Sequence, residues 1–180
     1  MKNIGIVALM FNFGVAGVYA QQRPVKMTFS GTAKASAINL QAPNTTTGEE
    51  NFAGSGSLGP FTFRNISAET TSPQLSSTCT GPSRLYFLRV AGAGVFRFED
   101  GSLMKVILMQ GSDCVDLTAK EGHCTMTFQI NGGTGRFKNA VGILILTETV
   151  QPVPTDATSN PVFFASTGEF TGMLMGVAAD

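Results

Sequence analysis

Three arginines in strand-like segments are candidates for binding a ligand. Arg64, Arg89 and Arg97 all lie in segments rich in phenylalanine. An arginine that points into an apolar interior would anchor a carboxylate ligand through charge-assisted hydrogen bonds. The alternative interpretation is that these side chains point outward and shield the wall of a sheet.

Two glutamates form a second candidate site near the end of the chain. Glu148 and Glu169 lie in the last two strand-like segments. If these strands are neighbours, both carboxyls could face one space, as paired carboxylates do in proton transfer. Solvent-facing positions on alternating strands are the plainer interpretation.

His123 is the only histidine, and Asp113, Asp116 and Glu121 lie close to it in sequence. A metal-binding or acid-base role is one interpretation of this group. A partly exposed histidine at the start of a strand is the other. No Ser-His-Asp or Cys-His arrangement surrounds His123, and the cysteine spacing does not resemble a zinc site. We therefore predict no catalytic residue, no metal site and no cofactor.

The chain contains three cysteines, Cys79, Cys114 and Cys124. An odd count leaves one thiol over if a disulfide forms. Cys114 and Cys124 flank a polar turn, so a hairpin could bring them opposite each other, and this is the favoured pair. A disulfide between Cys79 and either partner is the rival.

The first twenty residues predict export. Lys2 is followed by an apolar run from Ile4 to Phe13, and Val18-Tyr19-Ala20 has the residue sizes that a signal peptidase accepts. We expect a signal peptide over residues 1–20 and a secreted or periplasmic protein. An uncleaved membrane anchor is the alternative, although the run is short for a span of roughly 20 residues.

The remaining 160 residues, Gln21 to Asp180, predict a single domain. The full chain has twelve basic and twelve acidic residues, so it carries no excess charge for binding nucleic acid or an anionic membrane. No segment after the signal peptide is long and apolar enough to form a membrane-spanning helix.

Alternating apolar and polar residues predict an all-β, antiparallel fold of about eight strands. In the first segment, Val25, Met27 and Phe29 alternate with polar residues, and the same face then continues with small residues. A strand whose inward face shrinks in this way suits a curved sheet or a tapering barrel. A β-barrel and a β-sandwich both satisfy the overall pattern.

Two further segments carry structural signals. Asp100-Gly101 predicts a β-hairpin with a type I′ turn. The run from Ile143 to Leu146 is apolar on both faces, which is typical of a strand covered on both sides. We therefore expect a terminal segment or another subunit to cover its outer face.

The segment from Asn131 to Gly142 is similar to a known motif. Its residues Gly132, Gly133, Thr134, Gly135, Phe137, Ala140 and Gly142 resemble the Gly-Gly-Thr-Gly-x-Phe-x-x-Ala-x-Gly motif of the allene oxide cyclase and dirigent barrel superfamily. The resemblance is greater still to secreted bacterial proteins of unknown function that share the motif. It implies an eight-stranded antiparallel β-barrel whose apolar interior holds a small hydrophobic molecule. Plant members of the superfamily are oligomeric, and they either cyclise an epoxide or steer radical coupling.

The corner motif also has a physical interpretation. Its glycines supply backbone conformations that a Cβ atom would forbid, and Phe137 is placed to plug a barrel end. A phosphate-binding loop is not indicated, because no helix follows the glycines and no Walker lysine is present. No catalytic residues are carried over from the superfamily, since no positions of this chain match them.

The sequence therefore favours a secreted, non-catalytic barrel that binds a small apolar molecule or a protein partner. One alternative is an isomerase or cyclase that acts on a reactive lipid-like substrate. Another is a structural or surface-interaction protein that forms homo-oligomers through Ile143–Val150.

Overall fold

The computed structural model describes residues 22–40, 43–76, 78–79, 84–154 and 161–178. The predicted signal peptide, residues 1–20, lies outside the described residues. The strands are β1 (Arg23–Ala35), β2 (Thr45–Gly56), β3 (Phe61–Thr70), β4 (Arg84–Phe98), β5 (Leu103–Asp116), β6 (Glu121–Gly133), β7 (Val141–Pro154) and β8 (Pro161–Met175). A 3₁₀ turn at Gly135–Phe137 joins β6 to β7. Within these ranges, no helix has the length and apolar character needed to cross a membrane.

The eight strands form a closed antiparallel barrel. Each strand pairs with the next one in sequence, and β1 pairs with β8 from Arg23 opposite Leu174 to Ala33 opposite Phe164. Closure leaves no strand edge unpaired. The prediction of an eight-stranded antiparallel barrel is confirmed, and the β-sandwich alternative is wrong.

The alternation of residue types in β1 explains why this sequence forms a barrel wall. Val25, Met27 and Phe29 are buried, whereas the intervening Lys26 and Thr28 are exposed. Successive side chains of a strand point to opposite faces, so one face of β1 lines the interior and the other meets solvent.

Phenylalanine side chains fill the interior of one half of the barrel. Phe63, Phe96, Phe128 and Phe170 are fully buried. The Phe170 ring meets the rings of Phe63 and Phe96 edge-on, with centroid distances of 5.1 Å and 4.8 Å. Such edge-to-face contacts add to the stabilisation from burial. This half of the barrel is therefore solid.

The Asn131–Gly142 corner closes the end of this solid half. Phe137 is fully buried, and its ring centroid lies 4.6 Å from that of Phe98. The Arg136 guanidinium lies 4.8 Å from the centroid of the Phe137 ring and donates a 2.6 Å hydrogen bond to the Leu58 carbonyl oxygen. The corner thus ties the connection between β6 and β7 to the connection between β2 and β3.

The Asp100-Gly101 hairpin joins β4 and β5, but its turn is not type I′. Only Gly101 has a positive φ, 80°, whereas type I′ requires positive φ at both central residues. The Asp100 carboxylate accepts a 2.9 Å hydrogen bond from the Ser102 backbone N–H and lies 3.3 Å from Arg136 Nε. The aspartate therefore holds the turn through its side chain.

The outer face of β7 is partly exposed. Ile143 and Ile145 are 38% and 40% exposed, and no segment within the described residues covers them. A second subunit that covers this face stays a prediction.

The disulfide joins Cys79 to Cys114, so the favoured pairing of Cys114 with Cys124 is wrong and the rival is found. Strand register explains the difference, because Cys114 lies opposite His123 and Cys124 lies opposite Asp113. Cys124 therefore faces the interior, where it is buried and free, and Cys114 faces outward. A disulfide is typical of proteins that fold in an oxidising, extracellular-type environment.

We expect Gly133→Ala to lower the free energy of unfolding by about 3 kcal/mol, because the new methyl group would overlap the Leu103 backbone. Gly122→Ala is the matched control, since its Cβ would lie 3.7 Å from Val150 and should change stability by less than about 0.5 kcal/mol. Urea denaturation of both variants provides the measurement. Equal losses would show that close packing at Gly133 is not what the corner requires.

We expect Cys79→Ser to lower the free energy of unfolding by about 3–4 kcal/mol, because the disulfide closes a loop with a sequence separation of 35 residues. Cys124→Ala is the control and should keep the cross-link. Non-reducing peptide mapping should recover Cys79 joined to Cys114 in both the wild type and this control. A peptide that joins Cys114 to Cys124 would contradict the observed pairing.

Candidate functional site

Within the described residues, a cavity of about 560 Å³ occupies the end of the barrel opposite Phe137, which we call its mouth. Its walls are largely apolar and include Ala33, Ala35, Phe87, Val115, Val150 and Phe164. Its inner side chains are charged: Glu50, Glu69, Arg89, Asp113 and Glu148. We refer to this space as the mouth cavity.

The sequence of β1 helps to explain why the cavity lies at this end. Its inward residues are large at the solid end, where Met27 and Phe29 are buried. Towards the mouth they become Gly31, Ala33 and Ala35. Small side chains cannot fill the barrel, so space remains.

Arg89 reaches the cavity because of an irregularity in β4. At the solid end of β4 the even-numbered Phe96 points inward and is fully buried. The register between β3 and β4 then shifts, so that Ala68 lies opposite Ala91 but Glu69 lies opposite Arg89. The extra residue, Val90, reverses the inside and outside faces of β4. The odd-numbered Arg89 therefore points inward.

The Arg89 guanidinium is held by acidic and polar groups from neighbouring strands. Its Nε lies 2.6 Å from Asp113 Oδ2 and 3.6 Å from Glu69 Oε2. Its Nη1 lies 3.5 Å from Glu50 Oε1 and donates a 2.8 Å hydrogen bond to Ser67 Oγ. With three carboxylates engaged, Arg89 is poorly placed to bind a carboxylate ligand.

Arg89 and Asp113 form an ionised pair. Burial alone would raise the pKa of Asp113, but the Arg89 charge and hydrogen bonds from Glu69 and Arg89 lower that pKa below its ordinary value. Burial alone would lower the pKa of Arg89, and the negative charges around it raise that pKa instead. Each charge therefore stabilises the other inside the barrel.

The other two carboxyls beside Arg89 bind protons more tightly than usual. Burial raises the pKa of Glu69 to about 7, with a smaller contribution from Asp113 and with Arg89 opposing the rise. Burial also raises the pKa of Glu50, whose Oε2 accepts a 2.8 Å hydrogen bond from Asn65 Nδ2. One guanidinium thus does not neutralise all the carboxyls around it.

Glu148 lies deeper in the wall, on β7, with only 4% of its surface exposed. Its Oε1 atom and the Ser166 Oγ atom are both buried, and neither makes a hydrogen bond of good geometry within the described residues. Burial, followed by the negative charge of Glu50, raises the pKa of Glu148 to about 8, although Ser166 and Arg89 act in the opposite direction. Glu148 is therefore mostly protonated at neutral pH.

The free thiol of Cys124 lies in this polar region, between Asp113 on β5 and Glu148 on β7 in the strand register. Burial, reinforced by the Asp113 charge, raises its pKa well above the ordinary value. Since the thiolate is the reactive form of cysteine, Cys124 is not an activated nucleophile.

Among the five predicted binding residues, Arg89 and Glu148 line the mouth cavity and the other three lie on the outer wall. Arg64 is exposed and donates a 3.0 Å hydrogen bond to Asn51 Oδ1, and Arg97 is exposed as well. Glu169 Oε2 lies 3.4 Å from Lys26 Nζ.

The predicted pair of Glu148 and Glu169 facing one space does not form. Their strands are neighbours, but Glu148 lies opposite Gly168 and Glu169 lies opposite Thr147. The two carboxyls therefore have opposite parity, and their side chains lie on opposite faces of the wall.

His123 has a side chain that is 48% exposed, and its Nε2 lies 2.8 Å from Glu121 Oε1. This placement fits the interpretation as a partly exposed histidine of a strand. In the part of the chain that the structure describes, no group of three or more His, Cys, Asp or Glu side chains is arranged to hold a metal ion.

Sequence reasoning missed Glu50 and Glu69 as cavity residues, and it considered Asp113 only as a neighbour of His123. The sequence contained a signal that Glu50 faces the interior. Residues two apart on a strand point to the same side, and Phe52, two residues after Glu50, is buried. Glu50 lies well inside β2, which begins at Thr45. The same signal was available for Glu69, because it has the same parity as the buried Phe61 and Phe63 on β3.

No family model matches the chain, and no curated protein matches it either. The similarity of the Asn131–Gly142 corner to the allene oxide cyclase and dirigent motif stays a resemblance.

We expect the free energy of unfolding to fall as the pH rises from about 5 to about 8. In this interval the folded Glu148, with its pKa of about 8, keeps a proton that the unfolded chain releases near the ordinary value of 4.5. Glu148→Gln should reduce this fall by about 2 kcal/mol, since one pKa unit corresponds to about 1.4 kcal/mol and neighbouring groups share part of the effect.

Glu169→Gln is the matched control for this measurement, because Glu169 lies on the outer wall beside Lys26. Urea denaturation at a series of pH values should give the wild-type pH profile for Glu169→Gln and a flatter one for Glu148→Gln. Identical profiles for all three proteins would contradict a buried, protonated Glu148.

Proposed function

We propose that this protein is a secreted binding protein that takes up a small, largely apolar molecule in the mouth cavity without changing it chemically. The observation that carries this proposal is the cavity itself, about 560 Å³ with mainly apolar walls and a few polar groups at its inner end. Small-molecule sites typically have volumes of about 300–1,000 Å³ and this kind of lining.

Export is part of the proposal and has two supports. Residues 1–20 have the pattern of a signal peptide. The disulfide between Cys79 and Cys114 fits an oxidising compartment.

The proposal of binding without catalysis follows from the state of the polar groups. Arg89 and Asp113 neutralise each other at 2.6 Å, and the Cys124 thiol is buried with a raised pKa. Neither arrangement provides an activated nucleophile. The solid phenylalanine half also supports a cavity that is already formed before a ligand enters.

An isomerase or cyclase is the second candidate function, and the pKa values of two carboxyls favour it. General acid-base catalysis is most effective when the pKa of the group lies near the working pH, as it does for Glu69 at about 7 and Glu148 at about 8. Incubation with a fatty-acid epoxide, followed by product analysis, tests this function. Conversion that Glu148→Gln abolishes would support it, and the absence of any conversion by the wild type would count against it.

A structural role through self-association is the third candidate. Ile143 and Ile145 on β7 and Ile107 on β5 are exposed apolar side chains on the outer wall. Analytical ultracentrifugation at high protein concentration tests this role. A monomer throughout would remove it without affecting the proposal of ligand binding.

We expect the wild type to bind the neutral lipophilic dye Nile red, and Ala33→Phe to weaken this binding by about tenfold or more. Ala33 faces the mouth cavity, so a phenyl ring at this position would occupy the space that a ligand needs. Ala53→Phe is the control, because Ala53 is exposed on the outer wall of β2. Fluorescence titration provides the measurement. Equal dye binding by both variants would place the dye site outside the mouth cavity.

A further inference from the structure

The mouth cavity contains more acidic than basic residues. Three of its lining residues are basic, Lys34, Arg89 and Lys120, and six are acidic, Glu50, Glu69, Asp113, Asp116, Glu121 and Glu148. Two of the acidic residues at the rim have partners outside the cavity, Asp116 with Arg84 at 3.6 Å and Glu121 with His123 at 2.8 Å. Lys34 likewise has a partner outside the cavity, Glu49 at 3.8 Å. At the inner end, four carboxyls, Glu50, Glu69, Asp113 and Glu148, face one basic side chain, Arg89.

One guanidinium is shared unequally among these four carboxyls. Asp113, Glu50 and Glu69 lie within 3.6 Å of Arg89 nitrogen atoms. Within the described residues, Glu148 forms no ion pair of this kind, and its buried Oε1 atom makes no hydrogen bond of good geometry. A buried acceptor that lacks a partner costs free energy, so a donor placed against it would stabilise the protein.

A second buried polar group, the Ser166 hydroxyl, lies in the same part of the wall. Ser166 Oγ is buried near the Glu148 carboxyl, whose pKa it lowers, and Ser166 lies opposite Val150, two residues after Glu148 on β7. Both side chains face the interior. Of these two residues, Glu148 is the one that lines the mouth cavity.

The functional group that suits this arrangement is an ammonium group. It carries a positive charge, has several N–H donors and has no acceptor. A carboxylate ligand would meet four carboxyls, with Arg89 already engaged by three of them. A hydroxyl group could donate one hydrogen bond but would bring no charge.

We propose that the mouth cavity binds a small primary amine with an apolar body, and that its ammonium group contacts Glu148 while its apolar body lies against the walls of the mouth. This inference rests on the binding function proposed above and names the class of ligand.

Amine binding at this position should release a proton from Glu148. The groups that face Glu148 from the surrounding strands are Glu50 on β2, Glu69 on β3, Arg89 on β4, Asp113 on β5, Cys124 on β6 and Ser166 on β8. In the free protein Glu148 is mostly protonated at pH 7, because burial and the Glu50 charge raise its pKa to about 8. An adjacent ammonium favours the ionised carboxylate and lowers that pKa.

Three probes of equal chain length test the proposal: octylammonium, octan-1-ol and octanoate. Isothermal titration calorimetry on the purified protein at pH 7 should show octylammonium binding about tenfold or more tighter than octan-1-ol, and octanoate binding most weakly. Titrations in buffers with different ionisation enthalpies should reveal the release of close to one proton with octylammonium and none with octan-1-ol.

Glu148→Gln keeps the size of the side chain and removes its charge. This variant should lose the preference for octylammonium over octan-1-ol and release no proton, while still binding octan-1-ol. Glu169→Gln is the control and should behave like the wild type, because Glu169 lies on the outer wall. An unchanged amine preference in Glu148→Gln would overturn the assignment of Glu148.

The outcomes separate this inference from the function on which it rests. If octan-1-ol or octanoate binds as tightly as octylammonium, the cavity is a binding site and the amine inference is wrong. If none of the three probes binds and Nile red does not bind either, the proposed binding function itself is wrong.

Discussion

The open half of the barrel depends on the ion pair between Arg89 and Asp113. Two charges buried in a protein are tolerated only when they neutralise each other at short range, and here Nε and Oδ2 are 2.6 Å apart. The same guanidinium also draws Glu50 and Glu69 towards the centre of the barrel. Side chains from four consecutive strands therefore meet at one point, and their charges set the electrostatics of the mouth cavity.

The two halves of the barrel use different kinds of interaction. Close-packed phenylalanine rings and Phe137 fill the solid half, which needs no polar partner. The open half contains buried carboxyls and, within the described residues, polar atoms that make no hydrogen bond of good geometry, among them Glu148 Oε1 and Asn65 Oδ1. Buried polar groups of this kind are rare in native structures, and they are often found where a protein binds or reacts. The close packing of the phenylalanine half thus offsets the free-energy cost of the polar groups that are buried in the open half.

The fold could be predicted from sequence to a large extent, and the site only in part. Alternation along the chain indicated about eight strands, because it repeats every two residues within each segment, and the resemblance of the Asn131–Gly142 corner implied that they form a barrel. The predicted residues that reach the cavity, Arg89 and Glu148, were proposed together with three that do not. Arg89 faces the interior because of a bulge at Val90. The local sequence does not indicate which residue of a strand forms a bulge, so the face of Arg89 could not be predicted.

The sequence by itself determined the all-β character of the chain, because the two-residue period of its apolar residues requires strands with one buried face. The tertiary structure decided which polar groups share the interior. Register between strands placed Cys124 inside and Cys114 outside, and it placed Glu148 inside and Glu169 outside. The physical reason is that a shift of one residue moves a side chain to the opposite face of the wall, and only the pairing of all eight strands around the closed barrel sets that shift.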